Sequence, residues 1–487
     1  MKSPILGAAY VARSINAADN RLVNLYPEAT PDGGKTAAYF QRVPGVAAVT
    51  IGGTGNVRGM WAVNNRLFYV AYLESLNDSL FIELSSNTVW GSGIAGTGPV
   101  SMVDNGQQIF IATNPNGYVF NLNTNVFAQI GDPDFPGAVT VGYVDGYFVF
   151  NEPNSARVWV TALYDGASVD PLSFASAEAS PDNVVSLIVD HKEIWIFGNN
   201  STEVWYDAGQ PDFPLAPIQG AFLETGCAAP YSVAKMDNSV FWLAADARGY
   251  GIVYRARGYQ PERISTHAIE YAIQSYGTIS DAIAYTYQQD GHLFYVLTFP
   301  TAEVTWVYDA ATKMWHQRGY VDTVTGEFKR HMPTCMASYY NRIYLGHPSS
   351  STIGYYDFNN FTEFNLTQAW LRSWRALPTG QNDLKRTAQH SLQLDCEAGT
   401  TSLPVLSSPV SGTSLNVGLR WSDDGGHNWS NQHFQTMGGQ GETGKRVIWR
   451  RLGMTQKLRD RVYEVSCSGR GKTAIMGAEL LMSGTNA

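Results

Sequence analysis

Several features that are common in proteins are scarce or absent in this 487-residue sequence. Charged residues make up 15% of it, well below the ~25% of an average soluble protein. With a formal net charge of −9, the chain lacks the basic footprint of a general nucleic-acid binder. Its four cysteines include no CxxC pair, which is typical of free thiols in a reducing cytoplasm. It has no apolar run of ~18 residues and a poor signal peptide, so we expect neither a membrane span nor export.

Recognised catalytic motifs are also missing. There is no HExxH pair and no G-x-S-x-G elbow, and the Gly-rich stretches match neither a Walker loop nor a Rossmann fingerprint. His427 and His433 lie six residues apart, but no histidine has zinc-like spacing with a cysteine. Carboxylates that could form a glycosidase pair, which cannot be ranked from sequence, are Asp190, Glu193, Glu203, Asp281 and Asp290. We therefore expect a protein that is not an enzyme and has no catalytic residues, cofactor or metal.

One unit recurs through the middle of the chain: an apolar strand, a short polar turn and a second apolar strand rich in aromatic residues. The predicted turns are Asn64-Asn65, Asn105-Gly106, Asp145-Gly146, Asp190-His191, Asp237-Asn238, Asp290-Gly291 and Tyr340-Asn341. Asn-Gly and Asp-Gly tolerate the positive φ of type I′ turns, so each unit is predicted to be a β-hairpin. A period of roughly 40–50 residues is that of a β-propeller with one small sheet per blade. Seven hairpins favour seven blades; six blades plus an extra hairpin, or an irregular sandwich array, are the alternatives.

The pattern as a whole predicts an all-β protein in three parts. Residues 1–50 hold few hydrophobic runs, and we expect this N-terminal segment to pack on the C-terminal domain or on a partner. Residues 51–364 carry the hairpins and form the predicted β-propeller. Residues 365–487 are locally basic and contain strand-like stretches of period 2, such as VGLRWS and RVYEVSCSG, which predict a β-sandwich platform domain.

The segment RWSDDGGHNWS at 420–430 resembles an Asp-box, the S-x-D-x-G-x-T-W hairpin common in sialidases. Its matching residues are Ser422, Asp424, Gly426 and Trp429, and Asn428 replaces the Thr. In sialidases the Asp of the box caps a turn, the Trp packs beneath it, and the motif lies away from the active site. The box occurs once, outside the seven hairpins, and the propeller segment is poor in arginine. We therefore interpret it as a structural hairpin motif rather than an enzyme signature.

Several longer stretches carry a more extensive resemblance. They are SINAADNRLVNLYPE at 14–28, RVPGV at 42–46, VRGM at 57–60, the block at 201–246 that begins STEVWYDAGQPDFPL, GYQPERISTHAIE at 258–270, and GKRVIWRRLGMTQKLRDRVYEVS at 444–466. In this order, and together with RWSDDGGHNWS, they resemble the tail nozzle proteins of short-tailed (podovirus-type) bacteriophages. That family is also called the packaged DNA stabilisation or tail-hub proteins. The resemblance runs along almost the whole chain.

The resemblance implies a structural virion protein. Six copies would form a homohexameric ring at the tail tip, below the tail adaptor protein attached to the portal. The ring would continue and close the DNA channel, retain the packaged DNA, and pass it on at genome ejection without sequence-specific binding. Tail fibres or spikes, and in some phages a tail needle or plug, would dock on or near it. The protein would be made in the host cytoplasm.

Four arginines of the basic C-terminal region are candidates for contact with the adaptor: Arg450, Arg451, Arg459 and Arg461. An acidic adaptor would attract them by charge complementarity across the interface. A solvated charged face is the alternative explanation of the same residues. For the whole chain, a carbohydrate-active or glycan-binding, sialidase-like propeller is the alternative function, and a cellular scaffold propeller is a third.

Overall fold

Each recurring hairpin belongs to a small antiparallel sheet. The computed structural model describes residues 1–177, 180, 182–210, 213–246, 249–379, 386–400, 415–456 and 460–484. Within these residues seven such units follow one another along the chain, and their inner strands contact one another in sequence, the seventh contacting the first. Between blades four and five the inner contact is made by Val184–Asp190 and the turn Pro230–Ser232. The fold is therefore a closed seven-bladed β-propeller with a C-terminal β-sandwich, as the period and the alternation predicted.

Blades one to four each contain four strands in chain order, running from the central axis outward. Blade one consists of Gly55–Val63, Arg66–Leu73, Asp78–Glu83 and Thr88–Gly91. Blade two consists of Ser101–Asp104, Gln108–Ala112, Gly117–Asn121 and Val126–Gln129. Blade three consists of Val141–Val144, Tyr147–Asn151, Arg157–Val160 and Phe174–Ser176. Blade four consists of Val184–Asp190, Glu193–Gly198, Thr202–Asp207 and Leu215–Leu223.

The remaining blades depart slightly from this plan. In blade five, two short strands share one partner; its strands are Gly226–Cys227, Ala234–Met236, Ser239–Asp246, Gly249–Arg257 and Gln260–Arg263. Blade six consists of Ile283–Gln289, His292–Phe299, Val304–Asp309 and Met314–Val321, extended by Phe328–Arg330. Blade seven consists of Cys335–Tyr339, Arg342–Gly346, Ile353–Asp357 and Gly45–Ala48.

Five of the seven hairpin turns have the predicted positive φ at both central residues, whereas at Asn105-Gly106 only Gly106 has positive φ and the turn of blade four is shifted. At Asn64-Asn65 and Asp145-Gly146, for example, both central residues have positive φ, which matches the right-handed twist of the strands that they join. In blade four, however, Asp190 still pairs with Glu193, and the turn is His191-Lys192, one residue later than predicted. Asp190 is therefore the last residue of its strand rather than part of the turn.

The outermost strand of blade seven comes from the other end of the propeller sequence. Gly45–Ala48 pairs antiparallel with Ile353–Asp357, so a strand that precedes blade one completes the last blade and closes the ring. Gly45 lies so close to the neighbouring backbone that a Cβ atom there would be 2.4 Å from the carbonyl oxygen of Asn360. Its lack of a side chain lets this strand enter the sheet.

Apolar side chains fill the spaces between neighbouring blades. Seven hydrophobic clusters occupy the seven interfaces around the ring in the described part of the chain. Between blades one and two, the rings of Phe68, Phe81 and Phe120 pack with centroids 5.1–5.3 Å apart, and such aromatic pairs contribute about 0.5–1.5 kcal/mol each beyond their buried area. The high aromatic content is explained by this blade-to-blade packing.

Two further sheets form the sandwich, and both take strands from the N-terminal segment. The first sheet has the order Val447–Arg450, Thr387–Cys396, Ala474–Gly484, Ala38–Arg42 and Leu25–Ala29, with Lys2–Ser3 also paired to Ala474–Gly484. The second has the order His433–Thr436, Asn416–Ser422, Val462–Cys467, Trp370–Arg375 and Leu22–Val23. Tyr10–Val11 pairs with Asp19–Asn20 in a separate two-stranded sheet. Thr362–Glu363 and Leu366–Thr367 pair with each other, with Gly45–Ala48 of blade seven and with Met314–Val321 of blade six, and Leu22–Val23 also pairs with Met314–Val321, so the second sheet continues into the propeller.

The sandwich and the propeller share a continuous core. One cluster contains Trp315 of blade six together with the fully buried Trp370 and Trp374 of the sandwich. The backbone N–H of Ala9 donates to the carbonyl of Trp315 at 3.0 Å, which ties the N-terminal segment to the same place. Residues 1–50 therefore contribute to the sandwich and, through Gly45–Ala48, to blade seven. The three-part division at residues 50 and 364 stays a prediction.

Helical structure is limited to two short elements in the described residues. The helix His267–Gln274 begins at Thr266, whose side chain accepts from the N–H of Ile269, and it buries Ile269 and Ile273 against the shared core. Pro230–Ser232 forms one 3-10 turn. No described helix has the length and apolar character needed to cross a membrane.

Candidate functional site

The innermost strands of the seven blades surround a central cavity of about 370 Å³. Most of its wall is apolar or uncharged, and the lining includes Met60, Met102, Gly142, Leu187, Val233, Ile283 and Met336. Among the described residues that line it, Arg58 and Lys235 are the only basic side chains, and there is no Asp or Glu. Glycoside hydrolysis by the common mechanism requires two carboxyl groups at the scissile bond. The cavity therefore lacks the groups for that chemistry.

Arg58 is a structural residue of the cavity wall. Its Nε donates to the carbonyl of Gly98 at 2.7 Å, Nη1 to the hydroxyl of Ser79 at 3.0 Å, and Nη2 to the carbonyl of Ala95 at 2.9 Å. Burial lowers the pKa of the Arg58 guanidinium to about 10, so it still carries a charge at neutral pH. Nε and Nη2 hold the loop between blades one and two and Nη1 holds a strand of blade one, which leaves this cation unavailable to a ligand.

The carboxylates that the sequence offered as catalytic candidates lie outside the cavity wall. The hydroxyl of Tyr259, in blade five, donates to Glu193 of blade four at 2.6 Å. Within blade four, the indole of Trp205 donates to Glu203 at 2.8 Å. The cavity lining also does not include Asp190, Asp281 or Asp290. In the part of the chain that the structure describes, no group of three or more His, Cys, Asp and Glu side chains is arranged to hold a metal ion. The described cavity wall therefore contains none of the five candidate carboxylates.

The Asp-box forms a hydrogen-bonded loop at the end of the strand Asn416–Ser422. The hydroxyl of Ser422 donates to Asp424 Oδ1 at 2.6 Å and accepts from the N–H of Gly426 at 2.8 Å. Asp424 in turn accepts from the backbone N–H of Asn428 at 2.8 Å and from its side-chain amide at 2.6 Å. The N–H of Asn428, together with the Ser422 hydroxyl, lowers the pKa of Asp424 to about 2. Asn428 thus supplies both donors from the position that is Thr in the sialidase motif.

The remaining members of the box attach this loop to its surroundings. The guanidinium of Arg420 lies over the ring of Trp429, 4.7 Å from its centroid. Gly426 has φ +105°, and a Cβ atom there would lie 2.7 Å from Asp19 Oδ2. The loop therefore packs against the N-terminal segment, and its geometry is that of a turn rather than of a ligand site.

Two of the predicted adaptor-contact arginines are exposed side by side. Arg450 ends the strand Val447–Arg450, and Arg451 follows it with φ 59°. Both line an open groove of about 500 Å³ together with His390, Met454 and Leu481. Met454 is 42% exposed and Leu481 is 61% exposed, so the groove combines two cations with apolar surface. This combination is typical of surfaces that bind other proteins.

Arg461 occupies a different environment and is not available for such a contact. It is 2% exposed, and its Nε and Nη2 form a bidentate ion pair with Asp423 at 2.7 and 2.9 Å. Its Nη1 donates to the carbonyl of Leu452 at 2.8 Å, and Nη2 also donates to that of Met454 at 3.3 Å. The guanidinium thereby fixes the loop that follows Arg451. Arg459, the fourth candidate, lies outside the described residues.

Sequence reasoning missed the apolar part of the groove. Leu481 lies in the strand Ala474–Gly484, where Ala478 and Leu480 are buried and Glu479 and Leu481 point outward. The alternation of the strand could have revealed this, because Leu481 lies two residues after the exposed Glu479 and so faces the same side of the sheet, toward solvent or a partner. The sequence does not fix the register of this strand, and only the structure shows that Leu480 is buried and Leu481 is exposed.

Family models match both parts of the chain. A model described as the β-propeller of bacteriophage P22 Gp10 matches residues 1–360, and one described as the β-sandwich of bacteriophage P22 Gp10 matches residues 370–483. The chain belongs to the P22 Gp10 family. It is therefore a phage structural protein, and the two matched stretches follow the order of propeller and sandwich in the structure. The first match begins at residue 1 and so includes the N-terminal strands that join the sandwich.

The solved structures that match the chain share little sequence with it. The computationally designed Ika8 protein is 11% identical, with a TM-score of 0.38 and coverage of 69% of this chain and 100% of that protein. The extracellular domain of the hybrid two component system BT4673 from B. thetaiotaomicron is 11% identical, with a TM-score of 0.43 and coverage of 73% and 44%. The N-terminal domain of Nup159 is 10% identical, with a TM-score of 0.40 and coverage of 69% and 99%. No curated protein sequence matches the chain.

Proposed function

We propose that this protein forms the tail nozzle of a short-tailed phage. In this role a ring of copies, six in number, lies at the tail tip below the portal adaptor, continues the DNA channel, retains the packaged DNA and passes it on at ejection. The observation that carries the proposal is the match of a phage protein family to both the propeller and the sandwich. The resemblance of residues 14–28, 201–246 and 444–466 to tail nozzle proteins supports the finer assignment.

The dimensions of the propeller support a channel between copies rather than through one copy. The central cavity of a single propeller has a volume of about 370 Å³ and is surrounded by seven strands. A DNA duplex, whose major groove alone is roughly 12 Å wide, does not fit such a cavity. DNA would therefore pass along the axis of the ring, where the outer surfaces of the copies meet it.

The charge of the chain suits passage better than binding. Tight binding of DNA depends on lysines and arginines that neutralise phosphates and release counterions. A chain with a formal net charge of −9 supplies no such surface overall. A weakly acidic wall would let the duplex slide, and retention would then depend on closing the channel with loops or with a plug protein rather than on affinity.

The groove beside Arg450 and Arg451 is our candidate for the contact with the adaptor. Neither side chain takes part in a hydrogen bond or ion pair within the described residues, so both charges are available to an acidic partner. Exposed Met454 and Leu481 add apolar area beside them. Arg461 supports this surface from beneath by holding the carbonyl of Met454. Tail fibres or spikes and a tail needle would use other faces of the ring.

The first test is negative-stain imaging of the purified protein mixed with the portal–adaptor complex of the same phage. We expect six-fold rings that cap the adaptor. Monomers that never join the complex would contradict the nozzle role, and glycan-array binding would then test the carbohydrate-binding alternative. Absence of the protein from the tail tip in cryo-EM of intact virions would also overturn the proposal.

A charge-reversal pair tests the adaptor contact separately from the nozzle role. The variant Arg450→Glu/Arg451→Glu is expected to stay folded, because both side chains are exposed, and to lose ring assembly on the adaptor. The matched control is Arg257→Glu/Lys313→Glu, which makes the same change in net charge at exposed positions of the propeller. Equal assembly of the two variants would remove Arg450 and Arg451 from the contact while leaving the nozzle role to the imaging experiment.

A further inference from the structure

A cleft of about 770 Å³ lies between the N-terminal segment and the sandwich. One wall is formed by the loop that contains Gly7 and Tyr10, and the other by the strand Trp370–Arg375 and by Asp460. Its volume lies within the range of about 300–1,000 Å³ that is typical of small-molecule sites. None of the functions discussed above uses this cleft.

Arg372, in the wall of this cleft, is a buried cation without an anionic partner. It is 1% exposed, its Nε donates to the carbonyl of Ile5 at 2.7 Å, and its Nη1 donates to the carbonyls of Ala8 at 3.3 Å and Arg21 at 3.4 Å. Burial lowers the pKa of Arg372 to about 9, and no described carboxylate offsets this effect. The guanidinium therefore still carries its charge at neutral pH, in a place where an unpaired charge is costly.

The second terminal nitrogen of Arg372 is unused. Nη2 makes no hydrogen bond to any described residue, and a Cβ atom on Gly7, across the cleft wall, would lie 3.6 Å from it. The space beside this nitrogen is thus left open by a glycine. A guanidinium presents its N–H groups in a rigid fork that matches the oxygens of a carboxylate or a phosphate.

Two other buried arginines show that this arrangement is not the rule in the protein. Each nitrogen of Arg58 donates to a protein acceptor. Both terminal nitrogens of Arg42 donate to carbonyls, and the nitrogen that lacks a partner, Nε, lies in the dry interior. Arg42 also lines a cleft, and Arg318 also has an unpartnered nitrogen, Nη2, but in both the unpartnered atom is itself buried. Arg372 differs because its unpartnered Nη2 is not among the fully buried atoms and its side chain lines an open cleft.

The other charges of the cleft nearly cancel. Arg375 pairs with Asp460, and its Nη2 also donates to the carbonyls of Ile15 and Asn16. Among the described residues that line the cleft, the net positive charge therefore comes from Arg372 alone. A ligand that supplied one negative charge and two oxygen acceptors would satisfy Nη2 and neutralise the buried cation, and such charge-assisted hydrogen bonds are roughly twice as strong as neutral ones.

We propose that this cleft binds a small oxyanion, a carboxylate or a phosphate group, through Nη2 of Arg372. The test measures the thermal unfolding midpoint of the full chain in inorganic phosphate, acetate and chloride at one ionic strength. We expect a saturable rise of the midpoint with phosphate or acetate and none with chloride, because a ligand that binds only the folded state stabilises it. The anion that saturates at the lower concentration identifies the source. Equal midpoints in the three salts would overturn the proposal.

A pair of charge variants tests the site without touching Arg372. Asp460→Asn removes the partner of Arg375 and leaves the cleft one unit more positive, so we expect phosphate to bind several-fold more tightly. Asp395→Asn makes the same change in net charge at a surface ion pair with Lys35, and we expect unchanged affinity. Equal affinities for the two variants by isothermal titration calorimetry would overturn the proposal. Arg372→Lys should abolish the saturable response, and if it fails to fold, the comparison of the two Asp variants remains decisive.

Discussion

Truncation of the Arg461 side chain is expected to destabilise the sandwich rather than to weaken a contact with a partner. The guanidinium is 2% exposed and forms a bidentate ion pair with Asp423, whose side chain is 9% exposed. Burial is the largest single influence on Arg461 and opposes its charge, but the hydrogen bond and charge of Asp423 together with the interactions of Tyr463 outweigh burial, and the pKa of Arg461 is raised. In Arg461→Met the Asp423 carboxylate would lose both of these bonds.

The size of the effect follows from the burial of the pair. Removal of one partner of a buried ion pair typically costs about 3–5 kcal/mol, because the other charge stays buried without compensation. For a unit of roughly 150–250 residues, 1 kcal/mol shifts the midpoint by about 2–4 °C, so the expected decrease is about 6–20 °C. The double variant Arg461→Met/Asp423→Leu should regain much of this loss, since it leaves no unpaired charge.

Differential scanning calorimetry of the purified chain measures this shift. Arg450→Met is the matched control, because it removes the same group from an exposed position of the same sandwich and should change stability by no more than about 0.5 kcal/mol. If Arg461→Met melted with the wild type, the ion pair would contribute nothing to folding. If the double variant were less stable than Arg461→Met, the uncompensated carboxylate would not be the cause of the loss.

Two other predictions concern the closure of the propeller and the Asp-box. Gly45→Ala should destabilise blade seven by about 1–3 kcal/mol, because its Cβ would lie 2.4 Å from a backbone oxygen. Gly53→Ala, whose Cβ meets nothing within 4 Å, should melt with the wild type; equal midpoints for both would refute the steric argument. Hydrogen bonds hold the pKa of Asp424 near 2 in the folded chain against ~3.9 when unfolded. The stabilisation is therefore complete above pH ~4 and lost toward pH 2, so the midpoint difference between wild type and Asp424→Asn should shrink over that range; a constant difference would contradict it.

The repeat and the turn residues were sufficient to predict the propeller. Residues that tolerate positive φ occur at nearly fixed spacing, and this local chemistry specifies a hairpin wherever it stands. The turn of blade four was misplaced by one residue because His191 and Lys192, which adopt φ 48° and 65°, carry no turn signal of their own. The strand Gly45–Ala48 was missed for a different reason, since its partner lies more than 300 residues away and pairing at that distance leaves no local trace.

The contact surface was only partly predictable from the sequence. The stretch RVIWRR alternates, so exposure of Arg450 beside the buried Trp449 follows from period 2. The burial of Arg461 does not follow from any pattern around it. Its partner Asp423 belongs to a loop 38 positions earlier, and only the pairing of Asn416–Ser422 with Val462–Cys467 brings the two together.

Because several arginines are buried, the number of basic residues in the sequence overstates the positive charge of the surface. Arg42, Arg58, Arg318, Arg372 and Arg461 are each no more than 3% exposed, and most of their hydrogen bonds go to carbonyls or to a single carboxylate inside the protein. The exposed positive charge is thus lower than the 33 Lys and Arg residues suggest. On a surface with so few cations, two adjacent unpaired arginines beside exposed Met454 and Leu481 are a concentrated feature. Reversal of these two charges should therefore affect assembly more than a comparable change elsewhere, which is the difference that the matched propeller variant measures.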